Sequence, residues 1–145
     1  MNPTIAGEVV VFGSLNMDLV IRTPRMPLDG ETLQGHSIRY LPGGKGGNQA
    51  VSCARLGAQV RMLGQVGADA NGATLIAALA QDGINHVGVE QDPQQSTGAA
   101  LVMVDDVGQN RIVVIAGANG TVQFDEARLA ARIGSAGFLV MQLEL

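Results

Sequence analysis

Leu41-Pro42-Gly43-Gly44-Lys45-Gly46-Gly47-Asn48-Gln49-Ala50 is the stretch around which the chain is organised, and a helix-forming run ending near Leu56-Gly57 follows it. Glycine fills four of the five positions from 43 to 47. With no Cβ there, a polar ligand can come close to the backbone N–H groups. The first turn of the following helix adds unpaired N–H groups and the positive end of its dipole, which favour an electron-rich group. Lys45 and Asn48 add side-chain donors. The spacing excludes two phosphate loops. A Walker loop closes on Gly-Lys-Ser/Thr, whereas Gly44-Lys45 is followed by Gly46-Gly47. A dinucleotide-binding fingerprint opens the helix directly after the first strand, and that place is held by Gly13-Ser14-Leu15-Asn16-Met17-Asp18. The alternative is a glycine-rich hairpin or helix start that binds nothing.

Upstream, Glu8-Val9-Val10-Val11-Phe12 is an unbroken β-branched apolar run ending at Gly13. It reads as a strand buried on both faces of a parallel sheet, which makes the class α/β. In open α/β sheets ligands bind beyond the C-terminal ends of the strands, and Asn16 and Asp18 follow directly. Strand alternation puts Asn16 and Asp18 on one face of an extended segment, with Leu15, Met17 and Leu19 on the other. Asp18 can accept two hydrogen bonds from vicinal hydroxyls and Asn16 can donate and accept, which is what a polyol requires. A solvated Asx turn is the alternative reading of both.

Downstream, Thr23-Pro24-Arg25-Met26-Pro27-Leu28-Asp29-Gly30 reads as a turn region, and Glu31 to Tyr40 as a short strand. Asn48 to Leu56 reads as a helix, with Ala50, Val51, Ala54 and Leu56 as its core stripe. Gln59 to Val66 alternates as a second sheet strand. A helix over Ala73–Asp82 is closed by Gly83, and Asp69 and Asn71 at the preceding corner read as caps. Asn85 to Glu90 is a weak strand. Thr97–Val104 and Asn110–Ile115 flank Asp105-Asp106-Val107-Gly108-Gln109 as a β-hairpin whose alternating apolar residues require a cover on one face, from the body, a ligand or a second subunit. Phe124 to Arg132 reads as a helix with Asp125 and Glu126 in its first turn. Phe138-Leu139-Val140-Met141 reads as another buried strand, with Gln142-Leu143-Glu144 at its C-terminal end.

The chain has 145 residues, 46% of them apolar and 15% charged, with a net charge of −4. That length fits one domain or half of a larger molecule, and the composition is that of a globular protein. The negative balance, with no basic cluster, argues against nucleic acid as a partner. No apolar run approaches a membrane span and the N-terminus lacks a signal-peptide pattern, so a cytoplasmic location is expected. Cys53 has no cysteine to pair with and reads as a small apolar filler of the helix.

The glycine stretch, with Gly57 and Gly67 beyond it, resembles the first signature of the ribokinase group of sugar kinases, also called the phosphofructokinase-B family. Gly13-Ser14-Leu15-Asn16-Met17-Asp18, Pro27-Leu28-Asp29-Gly30-Glu31-Thr32, Gly67-Ala68-Asp69-Ala70-Asn71-Gly72, Ser96-Thr97-Gly98, Ala116-Gly117-Ala118-Asn119 and Met141-Gln142-Leu143-Glu144 match the same family in order. The likeness covers essentially the whole chain.

The resemblance implies a mostly parallel sheet flanked by helices, with a small β-sheet lid built from segments of about 15–41 and 96–118 over the sugar. It implies a sugar site made by Asn16, Asp18, Gly43, Gly44, Lys45, Asn48 and Glu144, although a terminal exposed charge is the alternative for Glu144. Phosphorylation of a pentose, D-ribose at its terminal hydroxyl, follows as the expected reaction, with ATP and magnesium as cofactors and a monovalent cation admitted. A homodimer through the lid is the expected partner. The family's Gly/Ala-Ala-Gly-Asp motif, which carries the catalytic base, is absent from these residues, so no catalytic residue is assigned here. The chain is therefore expected to be the N-terminal half of a longer kinase, inactive alone. Two rivals remain at this level. One is a kinase for another family substrate such as fructose, tagatose phosphate, ketodeoxygluconate or a nucleoside, the last disfavoured by having only Phe12, Tyr40, Phe124 and Phe138 for stacking. The other is a non-catalytic sugar-binding or assembly module.

Overall fold

β1 (Val9–Phe12) is buried along its whole length. It is followed by β2 (Asn16–Arg22), β3 (Ser37–Gly43), α1 (Lys45–Arg55), β4 (Val60–Gly67), α2 (Ala70–Gln81), β5 (Asn85–Asp92), β6 (Gly98–Val104) and β7 (Asn110–Ile115). A short 3-10 helix (Gly117–Thr121), α3 (Glu126–Ile133) and β8 (Phe138–Met141) complete the chain. The computed structural model describes residues 7–123, 125–134 and 136–145.

The strands form two sheets. The first has the order β5-β4-β1-β8 with every pairing parallel. Alternation along β1 sends Val9 and Val11 into one core with Met62, Leu75 and Leu79, against which Val51, Cys53 and Ala54 of α1 pack. Val10 and Phe12 point the other way with Leu63, against Leu129 and Ile133 of α3. Helices thus cover both faces, as an all-parallel sheet requires. Fully burying each of Val10, Val11, Met62 and Leu63, at most 1% exposed, is worth about 1.5–3 kcal/mol. No helix among the described residues is long and apolar enough to cross a membrane.

The second sheet has the order β3-β2-β6-β7, with β2 parallel to β6 and the outer pairs antiparallel. All six residues of β7 are exposed, so the hairpin leaves both faces of that strand open. In its turn Asp105 accepts from the amides of Val107 and Gln109, and Gly108 takes φ +83°.

Several element boundaries differ from the sequence reading. The strand expected over Glu31–Tyr40 begins at Ser37 and continues through Leu41-Pro42-Gly43. Pro42 is tolerated because β3 is an edge strand. α1 starts at Lys45, so Gly46 and Gly47 are helical and buried, despite costing about 1 kcal/mol each against alanine. α2 starts at Ala70, because Asp69 is its N-cap and accepts from the Gly72 amide. Leu56, expected in the core stripe, is 77% exposed at the C-cap of α1. β8 is not buried: Phe138, Leu139 and Met141 are exposed, because it is the edge strand of the first sheet. Asp125 caps α3 rather than lying in its first turn, and the expected helix start at Phe124 falls outside the described residues.

Candidate functional site

From β1 the chain builds outward through β4 and β5 on one side, while β8 lies on the other. The segments leaving β1 and β8 therefore meet beyond their C-terminal ends, at the point where strand order reverses and α/β sheets form clefts. Hydrogen bonds close this corner. Gln142 Oε1, after β8, accepts from the amide of Ser14 at 3.0 Å and from its hydroxyl at 2.8 Å.

The glycine stretch packs against the segment after β1, and the space its missing side chains leave is filled by the chain itself. A Cβ on Gly44, at φ +86°, would stand 2.6 Å from the Ser14 carbonyl oxygen. One on Gly46 would lie 2.5 Å from the Gly13 carbonyl carbon. One on Gly43 would come within 2.2 Å of Asp18 Oδ2, so the Asp18 carboxylate lies directly over that glycine. The sequence reading assigned this bareness to ligand approach. The structure uses it for contact between α1, β2 and β3, and the Gly47 amide donates to the Ser14 carbonyl at 3.1 Å.

β2 and β3 pair with Asn16 opposite Gly43 and Asp18 opposite Leu41, which puts Asn16 and Asp18 on one face of the second sheet. Asn16 is 8% exposed. Burial pushes the Asp18 carboxyl above the usual carboxylate range. Lys45 Nζ, two residues along from Gly43, forms an ion pair with Glu144 Oε1. Asn48 lies three residues further along α1 on the face of Lys45 and is exposed. With Leu15, Pro42, Gly43 and Val51 it borders a cavity of about 330 Å³ between α1 and α2. One corner thus holds Asn16, Asp18, Gly43, Gly44 and the Lys45–Glu144 pair, with Asn48 on its α1 side. The donors, acceptors and carboxylates there suit a ligand rich in hydroxyls.

Sequence reasoning gave no role to Asn119, Ser14 or Gln142, and to Asp69 only that of a cap. Asn119 is 2% exposed and bonds to both the N–H and the carbonyl of Leu15 and to Asn16 Oδ1. Ser14 and Gln142 tie β1 to β8. Asp69, read as a cap, also accepts from the amide of Thr97 at 2.8 Å and its hydroxyl at 2.6 Å, so it anchors β6 to α2. Its carboxyl is pulled in two directions. Burial raises it, but the bonds from Thr97, Gly72 and Asn71 outweigh that and hold it below the usual range. The available signals were the short matches Ala116-Gly117-Ala118-Asn119 and Met141-Gln142, which carried no chemistry by themselves.

The model of the "pfkB family carbohydrate kinase" matches residues 6–143. The chain belongs to the pfkB family of carbohydrate kinases. Among its relatives, the ribokinase of Schizosaccharomyces pombe is 44% identical over 95% of this chain and 46% of its own length. That of Haemophilus influenzae is 40% identical over 94% of this chain and 45% of its own. The chain thus spans about half the length of the curated relatives it matches. A solved structure titled as Arabidopsis thaliana ribokinase complexed with ribose and ATP superposes with a TM-score of 0.86 at 33% identity, covering 97% of this chain and 46% of that one. The α/β architecture with a parallel sheet and flanking helices is therefore the fold of ribokinases.

Proposed function

We propose that the protein containing this chain phosphorylates a pentose, D-ribose to ribose 5-phosphate, with ATP as donor, and that these residues supply the sugar side. The observation that carries the reading is the corner itself: Asp18 packed on Gly43 beside Asn16, with Lys45 and Glu144 brought together from 99 residues apart in sequence. In this reading the Asp18 carboxylate accepts from vicinal hydroxyls, Lys45 donates, Asn48 bridges, and Glu144 accepts on the far side. Gly43 and Gly44 let β3 and α1 close on Asp18 and Asn16. The second sheet is the lid, made of segments of about 15–41 and 96–118 and carried on to Gly43 by β3, within one unit over residues 1–145. The Arabidopsis ribokinase bound to ribose and ATP supports the substrate and donor.

Transfer forms a P–O bond to the sugar's terminal oxygen and breaks the bond between the γ-phosphorus and its bridging oxygen, while the hydroxyl proton passes to a base. Among the described residues no group of three or more His, Cys, Asp or Glu side chains is arranged to hold a metal. We assign ATP and magnesium mostly to parts of the protein outside these residues, with a monovalent cation admitted beside them. We place the protein in the cytoplasm, where ATP is plentiful, and infer a homodimer through the lid, because Ile112, Val113, Val114 and Ile115 of β7 are 53–60% exposed. Calorimetry with D-ribose and an assay with ATP and ribose test the division of labour. The 145-residue chain should take up ribose and yield no ribose 5-phosphate. Robust turnover would refute the proposed inactivity, and silence in calorimetry would refute the sugar site.

A further inference from the structure

The side chain of Asn119 lies between Leu15 and Ala116. Its Oδ1 accepts from the Leu15 N–H at 2.9 Å. Its Nδ2 donates to the carbonyls of Leu15 at 3.0 Å and Ala116 at 3.1 Å, and to Asn16 Oδ1 at 2.8 Å. A backbone N–H can only donate and a backbone carbonyl can only accept, so Leu15 fixes which end of the Asn119 amide is oxygen and which is nitrogen. The atom of Asn16 that meets the Asn119 NH2 must then be its oxygen. The Asn16 oxygen is thereby turned toward Asn119 with one of its lone pairs taken, while its Nδ2 finds no acceptor among the described residues. Gly98 makes room for this contact, since a Cβ there would stand 2.1 Å from Asn119 Nδ2 and 2.4 Å from Asn16 Oδ1.

We propose that Asn119 is a positioning residue that locks the Asn16 amide so that it meets the sugar as a donor only. This rests on the reading that Asn16 and Asp18 hold sugar hydroxyls. An unrestrained asparagine would turn either end toward the ligand. Locked, Asn16 gives and the Asp18 carboxylate takes, so the pair matches a hydroxyl, which both accepts and donates, and disfavours an ammonium, which only donates.

The test uses the full chain, isotope-labelled, with D-ribose as probe. In the free protein a scalar coupling across the hydrogen bond should connect Asn119 Nδ2 to Asn16 Cγ. On titration the Asn16 NH2 resonances should move while those of Asn119 stay. Asn119→Ala should weaken ribose binding about tenfold. Because that variant also removes several buried bonds, Asn16→Asp is the second arm. It keeps an acceptor toward Asn119 but presents an acceptor where the sugar needs a donor, and should bind ribose at least about tenfold more weakly near neutral pH, with circular dichroism showing the fold retained. Asn16→Asp binding ribose as tightly as the wild type overturns the donor role. A missing coupling in a chain that does bind ribose overturns the orientation alone. A wild-type chain that binds no ribose overturns the sugar reading, and the donor role with it.

Discussion

At the scale of single residues, the contact between Asp18 and Gly43 decides what the site can do. Gly43→Ala puts a methyl 2.2 Å from Asp18 Oδ2, inside any permitted contact, so the carboxylate must swing away. Ribose affinity should fall at least about tenfold by calorimetry. Thermal unfolding should show a loss of about 1–3 kcal/mol, the usual cost of an overfilled site. Asp18 also sets a pH dependence. Burial raises its pKa in the folded state, so the folded protein binds this proton more tightly than the unfolded chain does. Its contribution to stability is therefore greatest at low pH and is lost as pH rises through the raised value. The proposed sugar recognition runs the opposite way, because the acceptor role proposed for Asp18 needs the ionised form. Ribose affinity should begin to fall on acidification at a higher pH than an ordinary aspartate would dictate. A titration series from neutral pH downward checks this, and Asp18→Asn, weakly binding throughout, should lose that dependence.

Among the elements, α2 and β6 are joined through one carboxylate. Asp69 caps α2 at Gly72 and holds Thr97, whose hydroxyl in turn accepts from the Gly67 amide at 3.0 Å. Asp69→Ala should cost about 1–2 kcal/mol by thermal or urea unfolding, since it removes a helix cap and leaves partly buried donors unpaired. Its depressed pKa means that this stabilisation is present above the unfolded-state value and is lost as pH falls toward the folded-state one. Wild type and Asp69→Ala should accordingly converge in melting temperature under strong acid. The α2 helix and the hairpin were legible beforehand because each has a local signal, Gly83 after the helix and Asp105 to Gln109 between two alternating runs. The starts of β3 and α1 were not. Nothing local says that Pro42 sits on an edge strand, or that Gly46 and Gly47 are spent on touching the segment after β1.

On the scale of the whole molecule, apolar sheet edges stand open among the described residues, those of β8 and β7 among them. β8 exposes Phe138, Leu139 and Met141 along the edge of the first sheet, and β7 exposes both faces at the edge of the second. The proposed lid dimer would cover β7. Ile112→Lys with Val114→Lys places two charges on one face of that strand, and sedimentation should show the dimer reverting to a 15.0 kDa species if the expectation holds. An unchanged dimer would move the interface elsewhere.

By itself the sequence determined the α/β class, the buried central strand, the hairpin, the helix closed at Gly83 and the family likeness, because each is written in the period or punctuation of a short run. Only the tertiary structure decided that the glycines admit Asp18 and the backbone of Gly13 to Asn16, that Lys45 reaches Glu144, that Gln142 ties Ser14, and that Asn119 turns the Asn16 amide. Those last three contacts join residues 99, 128 and 103 positions apart. No periodicity of a strand or helix extends so far: the parallel pairing of β1 with β8 brings Gln142 to Ser14 and Glu144 to Lys45, and the 3-10 helix packed on β4 and β6 brings Asn119 to Asn16.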